Sequence, residues 1–282
     1  MNKGLLIRQI RWLFREYDKQ FRLARKGAKE QPVHDLRVMI KRINSLFLFL
    51  DETDIYRKRS NTYLKQLKSF FKTAGYLRDI QVIRSLLGYY KEKVNYDISE
   101  YGNYLAGKEA SAWDSFFHSS EKYPVQKQKE VINAIIESVR KLSDESLSQK
   151  AYSFMIRRLN RIDDYLRSAG TSKYLHKIRQ TLKQLRFFIE ILQASSQLSL
   201  MEESDYNEIR EIENIIGGWN DRSILINDIK YYIAYNQKLG SRSSWPELTA
   251  LQDYIKKDRK ELVKDIKPRL LKFIYRLKYS IL

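Results

Sequence analysis

Two stretches of this chain recur at one offset, and that repeat restricts the fold more than any other feature. HDLRVMIKRINSLF begins at His34 and HKIRQTLKQLRFFI at His176. GYLRDIQVI begins at Gly75 and GGWNDRSIL at Gly217, which is the same separation in sequence. Two separate matches at one offset, close to half of a 282-residue chain, mark an internal duplication. Isolated pairs agree with it: Ile40 with Leu182, Lys41 with Lys183, Ile43 with Leu185, Lys68 with Arg210, Asp79 with Asp221. Upstream, the same offset pairs Trp12 with Phe154 and Arg15 with Arg157. The repeat divides one domain, 1–282, into an N-terminal unit, 1–141, and a C-terminal unit, 142–282.

The units read as helical. Residues 5–28 carry Leu6, Ile10, Leu13, Phe14 and Tyr17 at helical spacing, interleaved with Arg8, Arg11, Arg15, Lys19 and Arg22. Pro32 suits a helix start and opens a helix over 33–51. Further helices are predicted over 59–73, 77–93, 147–168, 173–194, 203–216 and 220–238. Two shorter ones are expected within 98–142, split near Pro124. After GSRSSWP a long basic helix runs to the end, with Pro268 expected to kink or split it. Glycine (10) and proline (4) are too few for a turn-dense β architecture. The prediction is an all-α protein of two similar bundles, about four to six helices each, related by a pseudo-twofold.

Charge indicates the class of partner. The formal net charge is +19, beyond the roughly 2–8 of ordinary small domains. Both units share it: 28 Lys+Arg against 16 Asp+Glu before residue 142, and 25 against 18 after. A polyanion follows: nucleic acid, an anionic membrane surface or a phosphate polymer. The absence of cysteine excludes disulfides and thiolate zinc sites and favours the reducing cytosol. Charges interrupt MNKGLLIRQIRWLF too early for a signal peptide, and no run of about 18 apolar residues offers a transmembrane helix.

The repeated segment concentrates this charge. On a helix turning about 100° per residue, His176, Arg179, Lys183 and Arg186 fall within an arc of about 80° and span about 15 Å. Ile178, Leu182, Leu185, Phe188, Ile189 and Leu192 take the opposite side. In the first copy His34, Arg37 and Lys41 share the arc, and Leu36, Ile40, Ile43, Leu46, Phe47 and Leu50 form the apolar face. Arg42 lies off the arc. Arginine offers phosphate a planar fork and lysine a point charge, so such a row suits successive phosphates. The face reads as almost free of carboxylates, unlike a mixed-charge solvent surface. Lys65, Lys68 and Lys72, and the N-terminal row from Arg8 to Arg22, are further basic stripes.

These residues resemble the CHAD family, the conserved-histidine α-helical domain. The match lies in VHDLRVMIKRINSLF, LHKIRQTLKQLRFF, GYLRDIQVI and GGWNDRSIL, and extends over essentially the whole chain. The resemblance implies paired helical bundles about a pseudo-twofold, a basic central cleft or pore, and binding of inorganic polyphosphate, in the cytoplasm and on polyphosphate granules. Some members are fused to a triphosphate-processing CYTH domain, for which the repeat leaves no room here. The carried-over residues are His34, Arg37 and Lys41, then His176, Arg179, Lys183 and Arg186. Arg42, Lys68, Arg78 and Arg210 are secondary candidates. No cofactor and no metal are implied. The sequence departs from the pattern at Asn44, where a basic residue is expected, at Gln184, a common basic position, and at Asn220, which stands where Arg78 does. The last predicts weaker binding around that turn of the second unit.

Three other readings stay open. A nucleic-acid binder would use some of the 20 tyrosines for stacking, although Tyr89, Tyr90, Tyr231 and Tyr232 sit in helical stripes suited to packing. A phosphate-polymer hydrolase would need acid–base or metal groups, for which His34, Asp35, Asp79 and Asp221 are candidates. Asp79 and Asp221 equally suit pairing with a local arginine or capping a helix. No Gly-rich phosphate loop or other catalytic motif accompanies them, and binding without turnover is expected. A membrane-surface protein would use the basic C-terminal helix with Leu270, Leu271, Phe273, Ile274 and Leu277. No sequence feature fixes the oligomeric state.

Overall fold

The computed structural model describes residues 1–27, 29–57, 62–94, 96–121, 125–168, 171–193, 202–238 and 245–281. Among these, ten helices and no strand occur: α1 (Lys3–Arg25), α2 (Glu30–Glu52), α3 (Thr62–Lys91), α4 (Ser99–Glu121), α5 (Val125–Arg140), α6 (Asp144–Arg167), α7 (Thr171–Gln193), α8 (Glu203–Lys238), α9 (Trp245–Leu262) and α10 (Ile266–Ile281). The protein is all-α, as its periodicity requires.

Local sequence sets the ends. Asn2 caps α1, its side chain accepting from the Leu5 N–H at 3.0 Å, and Ser143 caps α6 the same way from Ser146 at 3.1 Å. Pro32 and Pro268 lie in the first turns of α2 and α10, where a missing N–H costs nothing. The expected split at Pro268 is thus a separation of α9 from α10. Pro124 and most of GSRSSWP lie outside the described residues.

Two expected breaks are absent. α3 runs unbroken through 74–76 and α8 through 217–219, so Asp79 and Asp221 lie inside helices and cap nothing. The glycines in these two stretches, Gly75 and Gly217, serve a packing purpose. They sit in helical backbone where the arginines of the neighbouring helices press close.

Packing follows a repeated plan. α1 packs on α2, α2 on α3, α3 on α4, and α5 on α1 and α3; α6 packs on α7, α7 on α8, α8 on α9, and α10 on α6 and α8. Between the two sets, α2 meets α7 and α3 meets α8. Buried positions of α2 recur in α7 at the offset of the sequence repeat: Val33 and Leu175, Leu36 and Ile178, Ile40 and Leu182, Leu46 and Phe188. In α1 and α6 burial falls into step one position earlier: Leu6 with Leu147, Leu13 with Phe154, Phe14 with Met155. The pairing of Trp12 with Phe154 is therefore one position out of register. Trp12 is 40% exposed, Phe154 is fully buried, and Trp12 matches the exposed Ser153.

One continuous apolar core joins both sets of helices. At its centre Phe49 packs on Phe188 at 4.6 Å and on Phe154 at 5.7 Å. Losing one such buried ring costs about 3–5 kcal/mol. A second cluster, including Tyr90, Tyr101, Ile229 and Ile255, joins the far ends of α3 and α8 to α4 and α9. Leu270, Phe273, Ile274 and Leu277 are buried inside the bundle, and Leu271 is partly buried against the same core. Among the described residues no helix is long and apolar enough to cross a membrane.

Candidate anion-binding site

Where α2, α7 and α8 meet, a pocket of about 500 Å³ opens, lined by His34, Lys41, Arg42, Arg179, Lys183, Arg186, Arg210, Asp221 and the backbone of Gly217 and Gly218, among others. The apolar stripes of α2 and α7 bury themselves in the core, which turns their basic arcs toward this space.

Lys41 and Lys183 are the lysines of this pocket, and both are held well below the ordinary lysine value. Burial, then Lys183, Arg37 and Arg179, push Lys41 down to about 7. Burial, then Arg179, push Lys183 down to about 8, against the opposing pull of Glu213. Each lysine is short of counter-charge. Asp79 and Asp221 act on the same cluster, and burial raises Asp79 above its ordinary value.

The two arginines are placed differently. Arg37 donates from Nη1 to the Phe71 carbonyl at 3.0 Å and lies over the Phe71 ring at 4.5 Å. It fits because Gly75 has no side chain; a Cβ there would meet Nη1 at 2.6 Å. Arg179 lies against Gly217, where a Cβ would stand 3.4 Å from Nε and Nη2. Its Nε is buried and has no hydrogen-bond partner among the described residues. A buried guanidinium N–H without an acceptor costs free energy that an anion or water would recover.

The histidines also differ. His176 donates from Nδ1 to Asn220 Oδ1 at 3.1 Å, and its Nε2 lies 2.8 Å from the Gln180 amide nitrogen, from which it accepts. Asn220, one of the departures from the family pattern, thus orients the ring. His34 is held below its ordinary range first by burial, then by Arg78, with Lys41 and Arg37 adding to it. Arg78 itself pairs with Glu30 at 3.2 Å.

The pocket is not free of acids, contrary to the sequence reading. Arg186 donates from Nε to Glu213 at 3.0 Å and pairs with Glu190, which Tyr206 also holds at 2.6 Å. Arg42 joins the same carboxylate at 2.8 Å. Arg186 and Arg42 therefore line the pocket as neutralised pairs, and Lys41, Lys183, Arg179 and Arg210 line it with no ion pair among the described residues. Glu190 and Glu213 escaped the sequence reading because Glu213 comes from a neighbouring helix and Glu190 reads as one isolated acid. Gln184 faces the other way, accepting from Arg158 Nη1 at 3.2 Å. Arg158, 1% exposed, also pairs with Glu52. A basic residue at 184 would face that buried cation. Arg210 sits at the pocket rim, its guanidinium 6.0 Å over the Tyr206 ring. Lys68, on α3, is solvent-exposed, as are Lys65 and Lys72.

A model of the CHAD domain matches residues 8–196, more than half of the chain. Among solved structures the chain is similar to the crystal structure of the CHAD domain from the plant Ricinus communis, with a TM-score of 0.69 and 11% sequence identity, over 95% of this chain and 91% of that one. At that identity the structural likeness speaks for the fold alone. No curated protein sequence matches. By its sequence over residues 8–196, the chain belongs to the CHAD domain family.

Proposed function

We propose that the protein binds inorganic polyphosphate in the pocket between α2, α7 and α8, and does not turn it over. One observation carries this reading: Lys41, Lys183 and Arg179 are brought together with too little counter-charge, and Arg179 Nε is left without an acceptor. An anion with closely spaced charges satisfies all three at once, and a single phosphate does not. Asp79 and Asp221 then act as partial charge balance within the helices. The two-repeat organisation, 1–141 and 142–282, belongs to the same reading, supported by the matching helix packing and burial phases. A cytoplasmic polyphosphate granule is the setting where such a site would be filled.

The test is competition. Long-chain polyphosphate should bind strongly, monophosphate hardly at all, and binding should fall steeply with salt. Lys41→Ala with Lys183→Ala should weaken polyphosphate at least about 100-fold, since each charged contact contributes about 1.5–3 kcal/mol. Unchanged affinity in the double variant, or DNA and heparin outcompeting polyphosphate in the wild type, overturns the reading. Phosphate release from the polymer by wild type but not by Asp79→Asn with Asp221→Asn would make it an enzyme instead.

A further inference from the structure

The exposed face of α1 carries chemistry that the central pocket does not use. Arg8, Arg11, Arg15, Lys19 and Arg22 are all solvent-exposed and recur every three or four residues, forming one stripe about 21 Å long. Lys19 has Glu16 at 3.6 Å. Arg8, Arg11 and Arg15 form no ion pair among the described residues. Trp12, 40% exposed, lies within this stripe at helical spacing from Arg8 and Arg15.

Trp12 also forms a wall of a second pocket, of about 260 Å³, at the junction of α1 and α7. Leu13 and Ile191 give it apolar surface, and Gln9, Tyr206, Arg42 and Glu190 give it hydrogen-bonding groups. A partly exposed indole, apolar neighbours and a few polar groups beside a row of cations suit a planar base joined to a phosphodiester backbone.

The fold itself does not call for this surface. In burial register, the α6 positions matching the five cations are Gln149, Tyr152, Ile156, Asn160 and Asp163, and Ser153 matches Trp12. An inorganic phosphate chain has no ring to place against Trp12. Its path from the central pocket would also cross Glu190, which borders both pockets. Membrane insertion needs a broad apolar face, and that of α1 is buried in the core.

We propose that α1 is a second binding surface, for single-stranded nucleic acid, with phosphates along Arg8, Arg11 and Arg15 and one base against Trp12. The experiment measures a labelled mixed-sequence 20-mer, its fully abasic counterpart and polyphosphate on the same variants. Arg8→Ala/Arg11→Ala/Arg15→Ala should weaken the 20-mer at least about tenfold and lower its log–log salt slope by about 2. Polyphosphate affinity should stay within about twofold, the approximate resolution of such titrations when no phosphate contact is lost. Trp12→Ala should weaken the 20-mer about 5-fold or more while leaving the abasic strand unchanged, and Trp12→Phe should largely restore it. These side chains are exposed, so the variants should melt with the wild type. Equal binding of the abasic and normal strands overturns the proposal. So does a parallel loss of polyphosphate in the α1 variants, which would make the stripe part of the polymer path. A Trp12→Ala defect on phosphatidylserine vesicles but not on the 20-mer assigns the surface to lipid and likewise overturns it.

Discussion

Arg37 and Arg179 stand at matching places in two similar segments, HDLRVMIK and HKIRQTLK, yet the neighbouring helix gives them different work. On α3, Phe71 supplies a carbonyl and a ring, and Arg37 is held against them. On α8 the matching position is Glu213, which takes Arg186 instead, and Arg179 is left lining the pocket with Nε unpartnered. Further along, Tyr76 on α3 matches Gly218 on α8, whose backbone forms part of the pocket wall. A repeated sequence row therefore does not give two equal sites. The row sets which way the cations point, and the helix across from it decides which of them are free.

The largest effect expected from this difference is in binding. Arg179→Ala should weaken polyphosphate about 10- to 100-fold, the loss of one charge-assisted contact. Arg37→Ala should change affinity by less than about threefold but lower stability by about 1–3 kcal/mol, since a buried hydrogen bond and a ring contact go with it. Titration and urea unfolding of both variants separate the roles. Equal affinity losses would show that the two arginines share one task.

Proton uptake gives a second, somewhat smaller signal. Lys41 and Lys183 are held at about 7 and about 8 in the free protein, and a bound polyanion favours their charged forms. Well below pH 7 both lysines are charged and add no further dependence, and any rise in affinity there belongs to His34, which lines the same pocket. As pH rises from 6.5 to 9 they lose protons that binding must restore, so affinity should fall at least about tenfold. Stability of the free protein moves in the opposite sense. Between the folded value of about 7 and the ordinary 10.5 the unfolded chain holds the Lys41 proton more tightly, so stability rises with pH through that window. Lys41→Met should remove about half of the rise, the remainder belonging to Lys183, held at about 8. A melting temperature falling across the window contradicts the placement of Lys41.

Removing a counter-charge should do less. Glu213→Gln frees Arg186 from one of its two acids and takes a negative charge out of the pocket wall. Polyphosphate affinity should rise about 3- to 10-fold, a gain of about 1 kcal/mol typical of partly screened pairs. No gain, measured at low salt, would mean Glu190 alone neutralises Arg186.

The sequence displayed the all-α class, most helices and the orientation of the basic arcs, because the apolar periodicity of α2 and α7 shows directly in the residue order. It did not display what depends on a neighbouring helix. Glu213 reaches Arg186, and Glu190 reaches Arg42, through packing of α7 on α8 and α2, whereas the Glu190–Arg186 pair lies within α7 itself. Asn220 reads as a lost cation and serves to orient His176. Gln184 reads the same way and serves Arg158, which periodicity alone would not place in the core. The gaps expected at 74–76 and 217–219 are absent, and the use of Gly75 and Gly217, room for an arginine from another helix, leaves no mark in their own segment.

That use of the glycines yields the smallest and sharpest comparison. Alanine in place of a helical glycine adds about 0.5–1 kcal/mol of stability when nothing else changes. At Gly217 little does: the new methyl would sit 3.4 Å from Arg179 Nε and Nη2, a tight but tolerable approach to a flexible group. Gly217→Ala should therefore be neutral to stabilising. At Gly75 the methyl would meet Arg37 Nη1 at 2.6 Å, and the guanidinium must leave the Phe71 carbonyl. That loss, about 1–3 kcal/mol, cancels or exceeds the propensity gain. Gly75→Ala should be neutral to destabilising, and adding it to Arg37→Ala should recover the full gain, because the clash is gone. Urea unfolding of the two single variants and the Gly75→Ala/Arg37→Ala pair decides it. If Gly75→Ala stabilises as much as Gly217→Ala, Arg37 is not seated on α3, and the two halves of the site are more alike than this geometry makes them.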